Sequence, residues 1–83
     1  MANIAIIGAG GVIFTQNFIK DILRNPKLRD SRIALMDIDQ KRLDAAVVFT
    51  QKIGQQLDVK PNFIATTDLN KALQDAHYVI TIF

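Results

Sequence analysis

Apolar residues along this chain alternate between two spacings: short continuous runs, and stretches in which they recur every three or four positions. The run Asn3-Ile4-Ala5-Ile6-Ile7 predicts a strand covered on both faces. Gly8-Ala9-Gly10-Gly11 breaks that run. Val12, Phe14, Phe18, Ile19, Ile22 and Leu23 then recur at helical spacing up to Arg24, with Gln16, Asn17, Lys20, Asp21 and Arg24 supplying most of the polar side. Phe14 and Phe18 are read as packing residues of this helix. Asn25-Pro26 ends it, because a residue before proline avoids the α region.

The alternation continues. Arg32-Ile33-Ala34-Leu35-Met36-Asp37 predicts a second strand, apolar until the carboxylate at its end. Asp39 is placed to cap a second helix, whose face is marked by Leu43, Ala46, Val47, Thr50, Ile53 and Leu57. Gly54 weakens its last turns. Asn62 to Thr67 predicts a third strand, and Lys60-Pro61 is the turn before it. Thr67 or Asp68 caps a short helix through Leu69, Ala72 and Leu73, and His77 to Phe83 predicts a fourth, buried strand. The order β-α-β-α-β-α-β implies an α/β fold with a parallel, Rossmann-like sheet.

Composition adds a size argument. With 83 residues the chain is one small domain at most, yet 49% of it is hydrophobic. A chain this short buries only roughly 60% of its unfolded surface. So much apolar sequence, and a last strand with nothing after it, leads us to expect the N-terminal part of a larger protein, with the sheet incomplete at the C-terminus. The net charge of +2 is small. Its densest stretch, Arg24, Lys27, Arg29 and Arg32 with Asp30 among them, has no interleaved aromatics, which argues for a solvated helix end and against nucleic acid. No cysteine is present, which fits a reducing compartment and excludes thiolate metal sites from this segment. The first apolar run stops at Gly8, short of a signal-peptide core or a membrane span. A cytoplasmic setting is expected, with no membrane partner.

The candidate chemistry lies at the first turn. A strand, a glycine turn and a helix start place free backbone N–H groups at the positive end of a helix dipole, an arrangement that binds phosphate. The dinucleotide fingerprint is G-x-G-x-x-G, in which the first glycine makes the turn, the second admits the pyrophosphate and the third lets helix pack on strand. Gly8 and Gly10 fill the first two places; Ile13 occupies the third, and Gly11 follows the second. Asp37 closes the second strand, where an acid accepts hydrogen bonds from the adenosine ribose and repels a 2′-phosphate, favouring NAD over NADP. It lies farther from the turn than the usual 20 or so residues, because of the Asn25 to Ser31 loop. Asp37 also reads as a turn residue paired with Arg42 or capping the next helix. Thr66, Thr67 and Thr81 fall near carboxyl ends of strands, where open α/β sheets bind ligands, and also suit strands by propensity. His77, the only histidine, is read as a partly exposed core-edge residue. No residues have the spacing of a metal site or a nucleophile–base pair.

Gly8-Ala9-Gly10-Gly11-Val12-Ile13-Phe14-Thr15, Asn17, Asp21-Ile22-Leu23, Ile33 to Asp39, Arg42-Leu43, Ala65 to Asp68 and Asp75-Ala76 together resemble the N-terminal domain of the NAD- and manganese-dependent glycosidases, glycoside hydrolase family four. The string around Met36 is more similar to the α-galactosidase and α-glucosidase branch than to the branch acting on phosphorylated sugars. The family has serine where this chain has Gly11, so a hydroxyl is absent while the backbone N–H remains. The resemblance implies cleavage of α-glycosides through oxidation by NAD at carbon three, metal-assisted loss of the carbon-two proton, elimination, and the reverse steps with water. It places Gly8, Gly10, Gly11 and the amides of Val12 and Ile13 on the pyrophosphate and Asp37 on the ribose. It puts the Mn2+ ligands and the base beyond Phe83, the position before a Gln-x-Gly-Gly stretch in the family, and implies a homo-oligomer. Alternatives from the residues alone are a 2-hydroxy-acid dehydrogenase of the lactate or malate type, a non-catalytic NAD-sensing domain and, last, a flavodoxin-like signalling module, which would want acids where this chain has glycines.

Overall fold

A computed structural model describes residues 2–82, with Val12 described by its backbone alone. The elements are β1 (Asn3–Ile7), α1 (Val12–Arg24), β2 (Arg32–Met36), α2 (Gln40–Leu57), β3 (Asn62–Thr66), α3 (Leu69–Leu73) and β4 (Tyr78–Thr81). The four strands form one sheet in the order β3-β2-β1-β4. Every pairing is parallel: Ile4 sits beside Ile33 on one side and Tyr78 on the other, and Ile33 beside Phe63. This is the Rossmann-like α/β arrangement that the alternating pattern predicts.

Side chains of a strand alternate between faces, and the two faces are packed differently. Ile4, Ile6, Ile33 and Leu35 join Ile19, Ile22 and Leu23 of α1 and Leu43, Ala46 and Ile53 of α2 in the main core. Ala5, Ala34 and Met36 face the other way, against Ala72 of α3. Large aliphatics thus lie under the two long helices, and small residues let the short helix sit close.

Element ends follow local chemistry. Asn25 has extended backbone before Pro26, as the proline requires, and its Oδ1 accepts the Lys27 N–H at 2.9 Å. Asp39 caps α2 by accepting from the Lys41 and Arg42 amides. Of Thr67 and Asp68, Asp68 caps α3, accepting from the Asn70 and Lys71 amides, while Thr66 Oγ1 accepts the Asp68 N–H.

Two expectations change. Phe14 and Phe18 do not pack in the core: the buried stripe of α1 is Thr15, Ile19, Ile22 and Leu23, and both phenylalanines lie on its exposed flank. Thr15 holds position i−4 to Ile19, so a polar residue occupies the core row and displaces the aromatic row outward. The fourth strand is not buried in this segment. Tyr78 and Val79 are exposed, because β4 packs chiefly beside β1 with little helix cover among the described residues, and only Ile80 reaches the main core. The strand also ends at Thr81, and Phe83 lies outside the described residues.

Candidate functional site

β1 leads directly into the glycine turn, which is held from several sides. Gly8 takes φ +83°, a left-handed conformation open to glycine. The amides of Gly8 and Ala9 both donate to the Met36 carbonyl at 2.8 Å, which ties the turn to the end of β2. The Gly11 amide donates back to the Gly8 carbonyl at 3.0 Å. The Gly10 amide donates to Oδ2 of Asp37 at 3.0 Å.

Asp37 follows β2 and is 5% exposed. Its second oxygen, Oδ1, accepts the Asp39 N–H at 2.9 Å. The Nε of Arg42, on the first turn of α2, lies 3.9 Å from Oδ2, and the arginine side chain remains more than half exposed. The contacts seen are those of the turn reading, a loose pairing with Arg42 and an acceptor for the Asp39 N–H ahead of α2, with a further one to the glycine turn.

With its own amides used, the turn's open donors are those of α1. The first amides of an α-helix have no partner within it, here those of Val12, Ile13 and Phe14. The first intrahelical bond of α1 runs from the Thr15 amide to the Gly11 carbonyl. Among the described residues no acceptor approaches the amides of Ile13 and Phe14, and no side chain caps the helix. These donors sit at the positive end of the helix dipole, and no acid lies in the first turn to oppose an anion. Ile13 and Phe14 hold their side chains out to solvent beside them.

The glycines contribute space more than hydrogen bonds. A Cβ on Gly10 would lie 2.7 Å from Asp37 Oδ2 and 2.5 Å from Arg42 Cβ, so this glycine admits the start of α2. The void expected to receive a pyrophosphate is, on this side, filled by protein. The amide of Phe14 is the donor that sequence reasoning missed. The absence of a side-chain cap before Val12 was its available signal, since an uncapped helix start leaves its amides open.

Other candidates separate by position. Thr66, Met36, Ile7 and Thr81 stand in register at the carboxyl ends of the strands, so Thr66 and Thr81 share the sheet end of the glycine turn. His77 is at the opposite end, where its Nδ1 accepts the Asn3 N–H at 3.0 Å and its own N–H donates to the Asn3 carbonyl. It takes no part in the site. A groove of 730 Å³ lined by Gln51, Gln55, Lys60 and Phe63 lies at the far end of α2 and is also remote from the turn. Among the described residues no group of three or more His, Cys, Asp or Glu could hold a metal ion, and no helix is long and apolar enough to cross a membrane.

Comparison with known proteins places this geometry. Residues 3–83 match the model of the family 4 glycosyl hydrolases. The chain is similar to an α-galactosidase of Rhizobium meliloti (strain 1021), with 40% identity over 78 residues, covering 94% of this chain and 16% of the relative. It is similar to an α-galactosidase of Bacillus subtilis (strain 168), with 35% identity over 80 residues, covering 96% of this chain and 18% of the relative. The chain thus spans less than a fifth of the length of either relative. A solved 6-phospho-β-glucosidase from Thermotoga maritima, holding manganese, NAD+ and glucose-6-phosphate, superposes with a TM-score of 0.81 at 26% identity, covering 98% of this chain and 19% of the other. These likenesses do not favour a hydroxy-acid dehydrogenase, a sensor domain or a flavodoxin-like module. A match running almost the whole length of the chain, with the glycine turn and Asp37 inside it, settles the family: this chain belongs to the family 4 glycosyl hydrolases.

Proposed function

We propose that this segment is the N-terminal part of the dinucleotide-binding domain of a glycoside hydrolase that cleaves α-glycosides, with NAD and Mn2+ as its cofactors. Family membership and the two α-galactosidase relatives support the activity and make an α-galactoside the first substrate to try. The observation that carries the reading is the open α1 amides beside a buried Asp37 at the carboxyl end of the sheet.

The residues fit an NAD molecule in the following way. The amides of Val12, Ile13 and Phe14 donate to diphosphate oxygens. Gly8, Gly10 and Gly11 contribute by letting Ile82, Asp37 and Arg42 close in on the turn, which sets it against the start of α1. Each Asp37 oxygen has one amide partner and retains acceptor capacity, which the ribose hydroxyls would use. Its negative charge disfavours a 2′-phosphate. When bound, NAD supplies a hydride acceptor for the sugar, and a divalent ion acidifies the neighbouring C–H. The metal ligands and the base are assigned outside this segment. A cytoplasmic, homo-oligomeric enzyme is part of the same reading, supported by the cysteine-free sequence for its compartment.

Calorimetric titration of the full-length protein with NAD and with NADP tests it. A preference for NAD of about tenfold or more is expected, the scale of one charge-assisted hydrogen bond. Cleavage of an aryl α-galactoside should require both NAD and Mn2+. Equal cleavage after the dinucleotide has been stripped would refute the proposal.

A further inference from the structure

We infer that Asp37 is also a positioning residue, a latch that seats the glycine turn and thereby aims the α1 amides at phosphate. This rests on the dinucleotide reading above, but a separate set of contacts carries it. A carboxylate this buried needs hydrogen-bond donors, and the groups that supply them are the ones it holds in place. Here Oδ2 accepts the Gly10 N–H at 3.0 Å and Oδ1 accepts the Asp39 N–H at 2.9 Å, with the residue 5% exposed. Gly10 lies between β1 and α1, Asp39 between β2 and α2. One side chain thus joins the two connections that form the site, across 27 positions of sequence.

The fit is close. A Cβ on Gly10 would stand 2.7 Å from Oδ2, so the turn lies directly on the carboxylate. Arg42 Nε, 3.9 Å from the same oxygen, adds charge on the open side. Without the carboxylate, the Gly10 amide loses its acceptor and the turn its tie to the start of α2. The Gly8 and Ala9 amides would still hold the turn to Met36, so loss of the latch loosens the second half of the turn, next to α1.

Two measurements on the full-length protein decide the matter. The first compares NAD with an analogue whose adenosine ribose lacks both the 2′ and 3′ hydroxyls. A residue that acted only on the ribose would leave analogue binding unchanged in Asp37→Ala. The latch predicts that Asp37→Ala still binds the analogue roughly tenfold more weakly than the unaltered protein, with Asp37→Asn, which keeps one acceptor oxygen, in between. Equal affinities for the analogue overturn the inference. The second is amide exchange without ligand. In Asp37→Ala the Gly10 amide should exchange about tenfold faster, and in Asp37→Asn by less, while Ile6 and Leu35 keep their protection, a local change that general destabilisation would not give. Unchanged Gly10 exchange in folded Asp37→Ala also overturns it. Failure of the unaltered protein to bind NAD would refute the dinucleotide reading instead, and leave the exchange result to judge the latch.

Discussion

Gly8 combines a left-handed backbone with the carbonyl of Ile82 standing where a side chain would begin. Gly8→Ala therefore faces both a conformational cost and a contact with main chain that cannot swing aside. Urea denaturation should show a loss of about 1–3 kcal/mol, the range for backbone strain at such a position. Thr15 gives the opposite case. Its side chain is buried in the core row of α1, and its Oγ1 has no hydrogen-bond partner among the described residues. Thr15→Val keeps the shape and removes a hydroxyl that lost its water on folding. The variant should melt at the same temperature or higher, by thermal denaturation. The same residue explains a limit on sequence reading. The glycine turn and Asp37 beside it were legible because a left-handed turn selects glycine and a carboxylate ending an apolar run stands out. Thr15 was not, since a threonine in a helix carries no mark of burial, and without it the inward row falls on Phe14 and Phe18.

At the scale of elements, caps and breakers set the boundaries. Asp39 accepts the Lys41 amide at 2.9 Å and the Arg42 amide at 3.4 Å, and α2 is the longest helix described. Asp39→Ala should cost about 1 kcal/mol in chemical denaturation, with Asp39→Ser recovering most of it. Asp37 accepts the Asp39 backbone N–H, not its side chain, so the glycine turn should remain seated in both variants. The elements were legible for the same reason that they are stable. Continuous apolar runs gave strands, three-and-four spacing gave helices, and Asn25-Pro26, Asp39 and Asp68 are residue types with one strong local preference. What the pattern could not convey is lateral order. Tyr78 to Phe83 reads as a buried run, yet the parallel order β3-β2-β1-β4 puts β4 at the edge. Adjacency in a sheet is decided by crossovers, and local composition does not record which strand lies outermost.

For the whole molecule, the two faces and the two edges differ. The α1/α2 side closes a large core, whereas the α3 side is thinly covered, leaving Leu69, Leu73, Tyr78 and Val79 exposed together with the outer backbone of β4. Exposed strand edges with apolar side chains recruit other chains. The 83-residue polypeptide by itself should self-associate in sedimentation velocity. A sharp monomer with a cooperative melt would show that β4 tolerates water as an edge.

The Met36 carbonyl receives two consecutive amides, those of Gly8 and Ala9, at 2.8 Å each. The glycine turn and the start of α2 are thereby fastened to the same strand tip, one by main chain and the other through the adjoining acid. They cannot spread apart or draw together without breaking that junction. The turn and the start of α2 therefore share a single anchor, and a shift of the β2 tip would carry both.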